Sequence, residues 1–415
     1  MSTNELWSHV KPGPPDAILA LSDMYAKDTS ENKVNLGIGA YRDEHGKPWI
    51  LPAVQMAKEQ LVHDPQANHE YQPISGFPPF TAAACRLLFG EDAASIKEGR
   101  LVVNQTISGT GANHVGASFL QHFYSFPTED KKIYVTDPSW PNHYAIFKAV
   151  GLTPTSYPYY DASSRSLAFD KMMSALNDMP DGSVVLLHAC AHNPTGVDPT
   201  EAQWREMADV FAKKHLFAFF DSAYQGFASG DPAKDAFAVR LFESRGDIGM
   251  LVCQSFAKNA GLYGERIGAL HVVTGSKEQA EAVGSQLNLI VRSEMSTEPV
   301  YGARIVAKIL TEPEMRAEWD RNIQTMSQRI IQMRHALFDL LTQRFKTPGT
   351  WNHIVDQTGM FSYLGIDEAM CHRLVTEGHI YLVKTGRISM AGLNPGNVEY
   401  VASWIDKVVR ERANL

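Results

Sequence analysis

The stretch MLVCQSFAKNAGLYGERIGALHVV, residues 250–273, holds two short apolar runs, Met250–Cys253 and Ala269–Val273, on either side of a polar loop. Neither run alternates apolar with polar residues, so each is expected to form a strand buried on both faces, as in a mostly parallel sheet covered by helices. The loop between them carries Lys258 directly after the first run. An ammonium there is desolvated, which lowers its pKa toward that of a nucleophilic amine. An isolated lysine would more often extend its head to water, so its neighbours decide the reading.

Further apolar runs lie outward from this stretch at Ile133–Thr136, Val184–Leu187 and Leu216–Phe220. Between two of them, Glu201–Lys214 follows a proline and sets Trp204, Met207, Ala208 and Phe211 at helical spacing, which makes the wiring α/β. From Glu314 to Phe345, Met315, Trp319, Ile323, Met326, Ile330, Met333, Leu337 and Leu341 recur every three or four residues. That pattern predicts one long helix or two stacked ones, bridging to a smaller C-terminal domain. With 415 residues the chain exceeds one hydrophobic core. The expected division is an N-terminal arm and part of a small domain over 1–50, a large domain over 51–312, and a connecting helix with the small domain over 313–415. The opening KPGPPD, residues 11–16, is too rich in proline for helix or strand and is expected to lie extended as an arm.

Composition is that of an ordinary globular protein, 44% hydrophobic and 20% charged. A formal charge of −8 and the lack of a basic stripe argue against nucleic acid as a partner, while leaving room for a local basic pocket. No apolar stretch reaches the length of a membrane span. The four cysteines are far apart with no zinc-like spacing, and they read as buried thiols. His188 and His192 stand at a metal-like interval, but without a zinc protease's glutamate and at a strand end, where i and i+4 do not share a face. No metal is expected. A cytoplasmic location follows as the simplest expectation, with mitochondria as the alternative, because WSHVKPGPPDAIL resembles the opening of a mature mitochondrial form.

Ligands of an open parallel sheet bind beyond the carboxyl ends of its strands. Three runs end in chemically capable residues: Asp221 to Tyr224, Ser255 to Lys258, and His192 to Gly196. Arg266 offers a charged fork for a phosphate. Ser108, Gly109, Thr110 and Gly111 form a small-residue turn opening a helix, where backbone amides and the helix dipole hold an anion. A dinucleotide fingerprint fails here, since His114 occupies the third glycine position, and no GxxxxGK[ST] loop occurs.

SFAKNAGLYGERIG, FDSAYQGFASG, AHNPTG, SGTGA, DPSWPNH, YQPISG and RISMAGL, in this order-preserving set across nearly the whole chain, resemble the aspartate aminotransferase family of fold-type I pyridoxal-phosphate enzymes. NPTG alone would indicate only the wider aminotransferase group; SFAKN with ERIG is more specific. The resemblance implies pyridoxal 5'-phosphate as cofactor. It also implies reversible ping-pong amino transfer between L-aspartate and 2-oxoglutarate, giving oxaloacetate and L-glutamate, in a homodimer with shared sites.

By the same resemblance Lys258 carries the cofactor and then shuttles the proton, and Asp221 pairs with the pyridine nitrogen. Tyr224 and Asn193 hydrogen-bond the phenolic oxygen, Trp140 stacks on the ring, and His143 supports the aspartate. Ser108, Gly109, Thr110, Ser255 and Arg266 form the phosphate cup, with Tyr71 arriving from the partner subunit. Arg387, assisted by the backbone around Gly39, grips the α-carboxylate, and Arg292 reads the distal carboxylate from across the dimer.

Departures concentrate after Arg292. The family commonly shows serine–asparagine–proline–proline there, whereas this chain has Ser296, Thr297, Glu298 and Pro299. Glu298 is expected to set a negative charge near a dicarboxylate site. An aromatic or broad-specificity aminotransferase is therefore the alternative reading. In the lysine motif, Ala257 and Gly264 replace a serine and an asparagine.

Overall fold

The computed structural model describes residues 6–13 and 16–413. Of the proline-rich opening, Pro14 and Pro15 fall outside the described residues, and Lys11–Gly13 are exposed with neither helix nor strand.

A seven-stranded sheet forms the centre. Its strands are β1 (Leu101–Ile107), β2 (Lys132–Asp137), β3 (Thr153–Pro158), β4 (Val184–His188), β5 (Phe217–Ser222), β6 (Met250–Ser255) and β7 (Ile267–Val273). They lie in the order β1-β7-β6-β5-β4-β2-β3. Neighbours pair in parallel except at β7, which is antiparallel to both β1 and β6. The unbroken apolar runs have the expected cause. Along β4 and β5, Val184, Leu186 and Phe219 point into one apolar cluster, while Val185, Leu187 and Phe220 point into another on the opposite face. Burying each such side chain contributes about 1.5–3 kcal/mol.

Helix α1 (Ser108–Phe123) covers the first face with Ala112, Val115 and Phe119. The second is covered by Glu201–Lys214, whose Trp204, Met207, Ala208 and Phe211 are buried. This helix starts in a capping box between Thr200 and Gln203 and stops at His215, which turns left-handed at φ 53°.

Two strands carried no usable pattern. In β1, LVVNQTI places buried Asn104, Gln105 and Thr106 where apolar residues would mark a strand. Strand β3 lies at the sheet edge and contains Pro154 and Pro158, tolerable there because one side needs no ladder hydrogen bonds.

Helix α2 (Pro141–Ala149) joins β2 to β3, and after the last strand α3 (Lys277–Glu294) and α4 (Tyr301–Thr311) lead into α5 (Pro313–Asp339). Helix α5 is the single long helix, widened into a π turn at Leu340–Arg344. Its buried stripe, Met315 through Leu341, joins the cluster that also holds Val34, Leu36, Ile380 and Ile388. The two chain ends meet there. Val34–Asn35 pairs in parallel with Ile380–Tyr381, and Phe361–Tyr363 pairs antiparallel with Arg387–Ser389. All four cysteines are buried free thiols. No described helix is long and apolar enough to cross a membrane.

Candidate active site

Parallel strands bring several ends to one edge of the sheet: Ile107 leading to Ser108, Asp137 to Trp140, His188 to Asn193, Asp221, and Ser255 to Lys258. Because β7 runs the other way, its first residue, Ile267, lies at that edge too, opposite Ile107. Arg266, just before it at φ +53°, is thereby delivered to the same place.

A cavity of about 180 Å3 opens at this edge. Ser108, Gly109, Thr110, Ser255 and Arg266 line it, with Trp140, Asn193, Asp221, Tyr224 and Lys258, and with Gly39 and Arg387. At the start of α1, Ser108 Oγ and Ser255 Oγ are 3.0 Å apart. Gly268, paired with Ser255, makes that approach possible. A Cβ there would come within 2.6 Å of the Ser108 carbonyl carbon and 2.6 Å of the Gln254 carbonyl oxygen. Arg266 donates Nη1 to the Tyr263 carbonyl at 3.0 Å, and burial draws its guanidinium below the usual range.

Lys258 Nζ lies 5.3 Å from the centroid of the Tyr224 ring. Desolvation lowers the lysine's pKa, the Asp221 charge opposes that shift, and Arg266 adds to it. Burial works against ionisation of Asp221, but the hydrogen bond and charge of His143, reinforced by the charge of Lys258, hold it below the ordinary carboxylate value. Asp221 Oδ2 is 2.8 Å from His143 Nε2, and Oδ1 is buried with no partner among the described residues. Asn193 Oδ1 is likewise without a partner. Burial raises the Tyr224 phenol well above its usual value, with Arg387 pulling the other way.

Arg387 is 4% exposed, donates Nη2 to the Gly37 carbonyl at 2.7 Å, and stacks 4.3 Å from the centroid of Phe361. Its Nε has no partner among the described residues. Phe361 also meets Tyr224 edge-on at 5.9 Å and limits Gly39, where a Cβ would come 2.9 Å from the ring. Nothing in the sequence marked Phe361, Ile18 or Cys190 for this site, and His188, weighed there only as a metal ligand, lines the cavity as well. Their signal is spatial only.

Two expected residues do not reach the cavity within this chain. Tyr71 is 82% exposed. Arg292 sits exposed in the last turn of α3, bonded to Ser296 Oγ. Glu298 requires a correction: it is 4% exposed, and burial followed by the Glu294 charge pushes its carboxyl up to about 8, so at neutral pH it is mainly uncharged. His188 and His192 serve a hydrogen-bonded network. His188 meets Ser139 Oγ at 3.1 Å, and His192 meets Thr136 at 3.1 Å and Thr195 at 2.8 Å. Burial pushes His188 down to about 3 and His192 well below its usual value, so both are neutral.

The acceptors Asp221 Oδ1 and Asn193 Oδ1 and the donor Arg387 Nε, all without partners among the described residues, together with an amine of lowered pKa and the small-residue turn at Ser108–Thr110, make a set complementary to pyridoxal phosphate and an amino acid carboxylate. Residues 31–405 match the family described as Aminotransferase class I and II. The cytoplasmic aspartate aminotransferase of Saccharomyces cerevisiae is 48% identical to this chain, over 98% of it and 97% of that protein. A solved structure of aspartate aminotransferase from S. cerevisiae cytoplasm superposes with a TM-score of 0.95 at 47% identity, covering 99% of this chain and 100% of that one. An aromatic-amino-acid aminotransferase from Burkholderia pseudomallei, covalently bound to pyridoxal phosphate, superposes with a TM-score of 0.94 at 42% identity, covering 99% and 100%.

Proposed function

This chain belongs to the aminotransferase class I and II family, and from that premise we propose that it transfers an amino group reversibly between L-aspartate and 2-oxoglutarate, giving oxaloacetate and L-glutamate. The observation that carries the reading is Lys258, a desolvated amine that shares one cavity with the Asp221 carboxylate and the Arg387 guanidinium.

Bound there, pyridoxal phosphate supplies an electrophilic carbon for the substrate amine and a ring that accepts the electron pair released when the Cα proton leaves. Ser108, Gly109, Thr110, Ser255 and Arg266 hold its phosphate, favoured by the dipole of α1. Asp221 keeps a proton on the ring nitrogen, with His143 fixing the carboxylate. Tyr224 and Asn193 would hydrogen-bond its phenolic oxygen, and Trp140 would stack on its ring. Lys258 Nζ takes the proton from Cα and returns it; its lowered pKa raises the neutral fraction able to do so. Arg387 clamps the α-carboxylate beside the backbone of Gly39, and Phe361 shields that clamp from water.

The active unit is a homodimer in which a second copy supplies Tyr71 and Arg292. Support comes from their exposure in the single chain and from the apolar surface nearby on α3 and α4, where Leu289 is 63% and Tyr301 44% exposed. The division into 1–50, 51–312 and 313–415 is supported by the pairing of Val34–Asn35 with Ile380–Tyr381. A cytoplasmic location is supported by the yeast relative named for that compartment. Similarity to an aromatic aminotransferase favours a second reading, broader specificity through displacement of Arg292. Specificity constants for L-aspartate, L-glutamate, L-phenylalanine and L-tyrosine test the choice. Preference for the dicarboxylates supports the first reading, and equal or greater values for the aromatics replace it with the second.

A further inference from the structure

Glu298 lies in the turn between α3 and α4, 4% exposed, with neither carboxyl oxygen hydrogen-bonded to any described residue. The turn is short and well tied. Met295 N bonds the Val291 carbonyl at 3.0 Å, Thr297 N bonds the Met295 carbonyl at 2.9 Å, and Gln105 Nε2 of β1 donates to the Pro299 carbonyl at 2.7 Å. Between them Ser296, left-handed at φ +70°, holds Arg292 through its hydroxyl.

Among the described residues no positive charge acts on Glu298. On α3 the neighbour is Glu294, whose negative charge opposes ionisation and which is itself paired with His114 of α1 at 3.0 Å. On α4, Arg304 is turned to the Asn68 carbonyl at 2.8 Å, and Tyr301 is partly exposed. From β1 the approaching side chain, Gln105, is neutral. A carboxylate cannot stay dry without a donor, so on losing its proton Glu298 must swing out to water. It is two residues from Ser296, and the turn has little slack to absorb that movement.

We propose that Glu298 is a positioning residue for Arg292: buried and protonated, it holds the 295–300 turn, Ser296 and the guanidinium in place, and on ionisation it releases them. The inference rests on the reading of Arg292 as the group that meets the substrate's distal carboxylate. Its consequence is a preference for dicarboxylic substrates that weakens as pH rises through about 8.

The test is kcat/KM for L-aspartate and L-phenylalanine between about pH 6.5 and about pH 9.5, in the native enzyme and in Glu298→Gln; the ratio cancels groups common to both substrates. The native aspartate-to-phenylalanine ratio should fall about tenfold across this range, mostly through KM for aspartate, while Glu298→Gln keeps a flat ratio close to the native low-pH value. An equal fall in Glu298→Gln overturns the proposal. So does a flat ratio in the native enzyme, a result that needs no variant. Arg292→Leu at neutral pH separates the two layers. If it keeps the aspartate preference, the reading of Arg292 fails and the proposal with it; if the preference collapses while the native ratio stays flat, only the role of Glu298 is lost.

Discussion

His143 Nε2 and Asp221 Oδ2 lie 2.8 Å apart, which fixes one carboxylate oxygen and leaves Oδ1 buried at the cavity wall, unpartnered among the described residues. Ser139, 2.9 Å from His143 Nδ1, sets the ring's orientation from behind. The carboxylate is thus held ionised and aimed before any ligand arrives.

Asp221→Ala removes that charge without touching the small-residue turn at the start of α1. Turnover should fall by about a thousandfold, as expected for a buried electrostatic partner worth several kcal/mol. Most of the cofactor should be retained, measured as pyridoxal phosphate released on denaturation. Near-native turnover, or an empty protein, would show the aspartate to have another role.

Gly268→Ala places a methyl group 2.6 Å from the Ser108 carbonyl carbon and the Gln254 carbonyl oxygen, where only backbone movement relieves the contact. Overpacking of this kind costs about 1–3 kcal/mol. Cofactor affinity should drop along with the thermal midpoint, because the residue pushed aside opens α1, the helix proposed to hold the phosphate. A destabilised variant with undiminished cofactor affinity would uncouple Gly268 from that part of the site.

Lys258 carries a stability signature in the cofactor-free protein. Its folded pKa is lowered by desolvation, so between that value and 10.5 the unfolded chain binds more protons and stability rises with pH. The penalty of the buried ammonium is therefore full below the folded pKa and gone above 10.5. Cofactor-free Lys258→Met should melt higher than the cofactor-free native protein at neutral pH, with the gap closing in alkali. A gap that widens with pH would contradict a desolvated lysine.

Shared sites predict complementation. An inactive Lys258→Ala subunit and an inactive Arg292→Asp subunit should together form heterodimers with one intact site, since that site takes its lysine and its arginine from different chains. The other site carries both defects. Activity toward L-aspartate should return on mixing, to about half the native value per heterodimer. A verified heterodimer that stays inactive would refute the exchange of Arg292.

The sheet was largely legible because buried strands need unbroken apolar runs, as at Val184–Leu187 and Met250–Cys253. Where strands carry polar side chains inward, as Asn104 to Thr106 do, or lie at an edge, as Thr153–Pro158 does, that signal is lost. Lys258, Asp221 and the Ser108 turn were legible as strand-end chemistry, while most of the remaining site depended on family resemblance. Phe361 and Ile18 escaped notice because their place depends on how the chain ends fold back over the sheet. Glu298 was visible as a departure, but its charge state was not, since burial is a tertiary property.

The most direct test of amino transfer at Lys258 is a single half-reaction. Purified native enzyme, loaded with pyridoxal phosphate and mixed with L-aspartate in the absence of any 2-oxo acid, should release about one oxaloacetate per chain and then stop. Folded Lys258→Ala, loaded in the same way, should release none on that timescale. Equal oxaloacetate from both proteins, or none from the native enzyme, would contradict the account.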